Sequence, residues 1–209
     1  MSITSSGAAP LDPWNSLDAK EHVSLEEGKQ VLVTEKVKDA PWPFFHIYRL
    51  VHATPIQAAA VFWDVENAPH FIPHCVKAVI DGHPVSNVTE VGYELEIPIF
   101  SNEISKVRNT LTNFPHEGAY EISWEVLSSK YSKSGRGSFL VFPHDQETLI
   151  CYANFVDPGS IIAPLLRTHA EKQVKAVVSA IADQIEYEVQ KNPEQLFRQE
   201  ERLKEALEK

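Results

Sequence analysis

Cysteine is scarce in this chain, basic charge is in deficit, and long apolar runs are missing. The two cysteines among 209 residues, Cys75 and Cys151, stand far apart and form no CxxC pair. A reduced compartment is the simpler expectation, the cytoplasm, with the periplasm or secretion as the alternative if a leader was removed. Nineteen Lys and Arg against 29 Asp and Glu give a formal charge of -10, so phosphate backbones and anionic lipid surfaces repel the chain as a whole. No nucleic-acid partner is expected. No run approaches the ~20 apolar residues needed to span a bilayer. The stretch Met1 to Pro10 has neither the basic nor the apolar region of an export signal.

Signatures of catalysis and metal binding are missing too. No Gly-x-Ser-x-Gly elbow presents a nucleophile. His70 and His74 have the i, i+4 spacing of a helical zinc pair, but Pro69 and Pro73 prevent a regular helix from holding both on one face. No third ligand stands at a recognisable spacing. Ser134-Gly135-Arg136-Gly137-Ser138 imitates a phosphate loop, yet a strand follows it where a helix would be required, so it reads as a hairpin with a solvated arginine. No catalytic residue, metal or cofactor is therefore expected.

What is present suits a globular domain. Apolar residues make up 43% and charged residues 23%, and 4 Trp, 6 Tyr and 10 Phe supply bulk for a core or a pocket. One domain with extensions fits the length. Residues 1–43 read as an N-terminal extension with a possible extra strand at about 30–38, where β-branched residues alternate before Pro41 and Pro43. Residues 44–53 read as a strand with Phe45, Ile47, Arg49 and Val51 on one side. Thr54 can cap a helix whose first position is Pro55, with Ala58, Val61, Phe62 and Val65 on its apolar stripe.

Six strands follow, at about 76–81, 89–99, 103–114, 119–128, 135–142 and 148–156, separated by short turns rich in Gly, Pro, Asn and His. Links that short imply an antiparallel meander. Tyr93, Leu95, Ile97 and Ile99 alternate with Glu94 and Glu96, and Tyr120, Ile122, Trp124 and Val126 alternate with Glu121 and Glu125. The sheet therefore has one wet and one dry face. After Pro158-Gly159-Ser160, a helix at about 161–190 carries Ile162, Leu166, Ala170, Val174, Val177, Ile181, Ile185 and Val189 at helical spacing. A helix about 45 Å long needs a broad apolar surface, and the dry face is the candidate. Packing is expected through Leu166, Val174, Val177 and Ile181. Residues 192–209 form a charged extension with Leu196, Leu203 and Leu207 on a thin stripe, read as a short, fraying helix or, more sharply, a partner-binding one.

The order strand, two short helices, six-strand meander, long helix is the helix-grip order. Val51-His52-Ala53-Thr54-Pro55, Asp64-Val65-Glu66-Asn67 and Pro69-His70-Phe71-Ile72-Pro73-His74-Cys75 resemble the coenzyme Q-binding, polyketide cyclase/dehydrase-like branch of the START/Bet v 1-like (SRPBCC) superfamily. In that branch Ala and Pro open the first helix, Asp closes it, and a Phe-x-Pro-x-Cys corner leads into the second strand. Ala59 departs from it, standing where an aromatic is often found. The resemblance covers roughly residues 44–190. It implies an α+β fold: a curved antiparallel sheet of seven strands around a long C-terminal helix, with two short helices between the first two strands. Phe71 and Ile72 then plug one end of the sheet, and Cys75 is a buried packing residue that stays unpaired with Cys151.

Three functions from different classes follow. The first is binding, and possibly transport, of a lipid or other apolar small molecule in an internal cavity. Its lining candidates are Ile47, Arg49, Phe62, Phe71, Tyr93, Leu95, Ile97, Tyr120, Trp124, Phe139, Phe155, Leu166, Ala170, Val174 and Val177. The alternative use of these side chains is to fill a tight core. The second is a cyclase or dehydratase, with Arg49 as its polar candidate. The third is a protein-interaction module, since one member type of the branch acts on ribosomes. A solid core without a pocket above about 300 Å³, together with no uptake of an apolar probe, would leave only the third. Oligomeric state is open.

Overall fold

In the computed structural model, residues 12–97, 101–158 and 167–208 are described. Thr54 ends an extended stretch and Pro55 opens helix α2 (Pro55–Trp63) after a first helix, α1 (Ala19–Glu26). The Gln57 side chain accepts from the Thr54 backbone N–H at 3.0 Å. Ala58, Ala59, Ala60 and Val61 of α2 are fully buried, and the three small side chains let neighbouring elements approach closely. A 3-10 turn, Val65–His70, continues from α2.

Eight strands form one antiparallel sheet: β1 (Val31–Glu35), β2 (Phe44–Val51), β3 (Cys75–Val85), β4 (Val88–Leu95), β5 (Glu103–Phe114), β6 (Ala119–Ser129), β7 (Ser134–His144) and β8 (Glu147–Asp157). Their order is β1-β2-β8-β7-β6-β5-β4-β3. The run β3 to β8 is the meander, and β8 returns beside β2, with Ile47 opposite Tyr152. The count is eight where seven were expected, because β1 adds to the free edge of β2 with Val31 opposite Tyr48. Register shifts in β3 and between Lys106 and Val107 of β5 bend the sheet, as bulges do.

The curved inner face carries the main core. Val51, Leu111, Ile122, Phe139, Val141 and Ile150 meet α2 and two C-terminal helices, α3 (Arg167–Lys191) and α4 (Pro193–Leu207). This is the α+β helix-grip arrangement. Of the expected contacts of α3, Ile181 and Ile185 are fully buried, Ala170 nearly so, and Val177 and Val189 pack against the core; Val174 is half-buried, and Val178 and Ala182, fully buried, join the face. Ile162 and Leu166 lie outside the described residues. The face is broader because α3 packs on β2, α2 and α4 together, not on the sheet alone.

The charged C-terminal stretch is not a frayed end. Leu196 and Leu203 belong to the main core, and Gln199 is 1% exposed. Asp64, which closes α2, accepts from Gln199 Nε2 at 2.9 Å and pairs with Arg202 Nη1 at 3.2 Å.

The N-terminal stretch covers the outer face of β2 and β8. Leu17 and Leu25 pack with Val31, Tyr48, Leu149 and Cys151. Trp14 stacks against His22 at 4.1 Å and His144 at 3.9 Å. A capping box on Asp18 starts α1: its Oδ1 accepts from Lys20 N and Glu21 N, and Glu21 reaches back to Asp18 N. Cys75 and Cys151 are both free and buried, in separate clusters on opposite sides of the sheet. No described helix is long and apolar enough to cross a membrane.

Candidate functional site

Between the inner face of the sheet and the helices the packing is incomplete. The end of α2 and the 3-10 turn contribute Phe62, Asp64, Val65 and Ala68 to the rim of a cavity, and Phe71 and Ile72 follow from the Pro-bounded corner. The corner's two histidines point away: both are exposed, and His74, held at φ 63°, faces Glu96 across 3.4 Å. Alternate residues of four strands make the floor: Tyr93 and Leu95; Glu103, Ser105, Val107 and Asn109; Trp124 and Val126; Tyr152, Asn154 and Val156. Val177 and Ile181 of α3 close it. The volume is about 260 Å³, just below the ~300 Å³ from which small-molecule pockets usually run. The interior is not solid, and its size favours a ligand of modest bulk.

The floor depends on two glycines of β7. A Cβ on Gly137 would lie 2.4 Å from Trp124 Cζ2 and 2.1 Å from the Ala153 carbonyl oxygen, and one on Gly135 would lie 2.8 Å from a methyl of Val126. Side chains at these positions would displace the aromatic floor. The stretch 134–138 is thus the start of strand β7 rather than a hairpin tip. Arg136 is not simply solvated: its guanidinium carbon stands 4.9 Å over the Phe155 ring and 5.7 Å over Phe44.

Polar groups are few and mostly neutral. Tyr93 hydrogen-bonds the Asn109 side chain, and burial pushes its phenol up to about 12. Burial pushes Tyr152 higher still, with Tyr93 nearby adding to the effect. Its ring lies 5.2 Å from Trp124 and edge-on to Phe62 at 6.5 Å. Burial also raises the Cys75 thiol, which keeps it an unreactive wall residue. Glu103, 7% exposed, accepts from Ser129 Oγ, Lys130 N and Tyr131 N at 3.0, 2.8 and 3.1 Å. It thereby holds the β6–β7 connection at the cavity edge. Among the described residues no cluster of three or more His, Cys, Asp or Glu could hold a metal ion.

Of the side chains the sequence singled out, Phe62, Phe71, Tyr93, Leu95, Trp124 and Val177 come together around this cavity. Ile47 and Phe139 are fully buried core residues, Phe139 stacking on Phe62 at 4.3 Å. Tyr120 packs at the α4 end of the core, where Lys204 and Glu200 act on its hydroxyl. Arg49 does face the helices, but it meets Asp183 of α3 at 3.6 Å instead of the cavity. Phe155 lies on the outer face with Phe44. Ile97, Ala170 and Val174 do not border the cavity among its described lining residues, and Leu166 lies outside the described residues. Tyr152, Asn109, Ser105, Asn154 and Glu103 were not singled out. The β5 alternation of Ser105, Val107 and Asn109 was the available signal for three of them, muted by its mixed polarity. For Tyr152 the strand pattern offered no signal, since β8 is apolar on both faces.

No protein-family model matches the sequence. No curated protein matches it either. Solved structures do share the fold. A STAR-related lipid transfer protein from Xanthomonas axonopodis superposes with a TM-score of 0.66 at 14% identity, over 75% of this chain and 93% of that one. The Zhui aromatase/cyclase from Streptomyces sp. R1128 gives 0.57 at 15% identity, over 71% and 96%. Human STARD10 gives 0.57 at 14%, over 90% and 86%. The chain shares the helix-grip fold of these structures.

Proposed function

We propose that the chain binds an apolar small molecule or lipid portion in the cavity between the sheet and α3. The observation that carries this reading is the floor itself. Trp124, Tyr152, Phe62 and Tyr93 surround open space where a structural core would be filled, and two inward-facing glycines hold that floor in place. Leaving such a gap costs stability, so a protein with no use for it gains by filling it. The lipid transfer protein and the aromatase/cyclase with the same fold support a ligand of this general kind.

A cyclase or dehydratase is the second reading. The two phenols favour it, because each can donate a hydrogen bond to a substrate carbonyl. Their raised pKa values suit them to donating protons and not to acting as bases near neutral pH.

Native mass spectrometry of protein purified without detergent, compared with its denatured mass, tests binding directly. A retained apolar adduct, and quenching of Trp124 by an environment-sensitive apolar probe, are expected. The Trp124→Phe variant identifies the quenched residue among the 4 tryptophans. No adduct and no probe uptake at tens of micromolar would leave the cavity without this function. Turnover of a polyketide-like substrate would decide for the cyclase.

A further inference from the structure

The charges around the cavity narrow the ligand. Of its described lining residues three carry formal charge: Asp64, Glu103 and Arg136. The Arg136 guanidinium is stacked over Phe155 and Phe44 on the outer face. Arg49, the inward arginine of β2, pairs with Asp183 through Nη2 at 3.6 Å, keeps a buried Nε without a partner, and does not border the cavity among its described lining residues. The Asp64 carboxylate is answered by Arg202, whereas the donors to Glu103 are a hydroxyl and two backbone amides. The cavity thus carries negative charge and directs no described cation inward. A ligand carboxylate or phosphate taken into it would lose its water and gain no counter-charge.

A ligand ammonium would find counter-charge there but little free acceptor capacity on Glu103. The Glu103 oxygens are already occupied by three donors, and a cation cannot accept a hydrogen bond. Tyr152 lines the cavity with its ring beside Trp124 and Phe62, and its hydroxyl has no hydrogen-bond partner among the described residues. The oxygen of its neighbour Tyr93 is engaged by Asn109. A hydroxyl that opens onto the cavity without a protein partner is free to donate to a ligand oxygen.

Resting on the reading that the cavity holds an apolar molecule, we propose that its ligand is uncharged and presents a carbonyl or similar acceptor to the Tyr152 hydroxyl, and that anionic amphiphiles such as free fatty acids are excluded.

Three probes on one skeleton test this: the ketone tetralone, the hydrocarbon tetralin and tetralin carboxylate, each titrated calorimetrically into the full chain and into Tyr152→Phe. Removing one hydroxyl from a residue held by ring contacts should leave the fold intact, which thermal unfolding checks. In the wild type, tetralone is expected to bind about tenfold tighter than tetralin, the scale of one well-made buried hydrogen bond, and the carboxylate at least tenfold weaker than tetralone. Tyr152→Phe should erase the preference for tetralone over tetralin without weakening tetralin. Equal binding of ketone and hydrocarbon, or a preference unchanged in Tyr152→Phe, would overturn the assignment of Tyr152 while leaving apolar binding standing. Carboxylate binding as tight as tetralone would overturn the exclusion of anions. Failure of all three probes would overturn this proposal together with the binding function beneath it.

Discussion

Replacing Gly137 by alanine adds a single methyl group, and the structure allows it no room. The new Cβ would stand 2.1 Å from the Ala153 carbonyl oxygen, 2.4 Å from Trp124 Cζ2 and 2.6 Å from Trp124 Cε2. Real contacts of this kind essentially never fall below 3.0 Å. The carbonyl belongs to β8, which is paired on both sides, so it cannot retreat without disturbing two ladders. The indole is flanked by Tyr152 and Phe62, with ring centroids at 5.2 and 6.0 Å, so its displacement disturbs the aromatic floor. Overpacking typically costs about 1–3 kcal/mol, and with a backbone obstacle the upper part of that range applies. For a chain of this length each kcal/mol moves the melting midpoint by roughly 2–4 °C, which gives a fall of about 5–10 °C. Gly82→Ala is the control, since a Cβ there meets nothing within 4 Å and should change stability by less than ~0.5 kcal/mol. Urea titrations followed by circular dichroism measure both. Combining Gly137→Ala with Trp124→Ala clears the indole and leaves the carbonyl. A coupling energy of about 1 kcal/mol is then expected, with part of the loss remaining. Should Gly137→Ala prove as stable as Gly82→Ala, the close approach of β6, β7 and β8 beneath the cavity would be wrong.

Three further outcomes follow from the packing. Glu188 is 2% exposed with Oε2 unpartnered, and burial raises its carboxyl above the ordinary range. Its contribution to stability is therefore fully present below the unfolded value of about 4.3 and is lost as pH rises through the raised folded value. Glu188→Gln should gain on the wild type in urea titrations between about pH 4 and pH 7, and a gain in the opposite direction counts against this account. Val178→Asp places an unpaired charge at a fully buried position of α3 and should cost several kcal/mol, against about half a kcal/mol for Lys172→Asp on its exposed side; equal tolerance at the two sites would remove the packing of α3 described above. Burial raises the Cys75 thiol and pushes Cys151 up to about 11, so neither should react with a disulfide reagent near pH 8 in the native state, and both should in denaturant; no reactive thiol in denaturant would mean that the cysteines are bridged.

Some elements were legible from local pattern. Thr54 and Pro55 announce the start of α2, because capping and the missing proline N–H act within one turn. The faces of β4 and β6 could be assigned because one side of each carries glutamates, and Tyr93 and Trp124 accordingly sit on the cavity floor. The inward direction of Arg49 followed from its alternation with Val51. Where both faces of a strand are covered, alternation carries no such information. In β8 the inner face meets the cavity, while the outer face lies under Leu17 and Leu25 at one end and stacks with Phe44 at the other. Phe155 and Tyr152 were therefore equally plausible as floor residues, and only the pairing of Ile47 with Tyr152 decides between them.

Other features depend on contacts remote in the chain. The thin leucine stripe of residues 193–207 is too polar to mark a core helix by itself. Asp64 recruits it through Gln199 and Arg202, and α2 offers small residues for Leu196 and Leu203 to cover. The same holds for Gly135 and Gly137, which in sequence are two turn-forming residues and in the sheet are the only side chains small enough to lie beneath Val126 and Trp124. Periodicity and capping act over a few residues, so the sequence by itself determined the strand and helix order, the dry face and with them the helix-grip fold. The empty volume, its negative charge and the unpartnered hydroxyl of Tyr152 arise where five strands and two helices meet, and only the tertiary structure decided them, because a cavity is a property of how surfaces fail to meet and no local stretch encodes that failure.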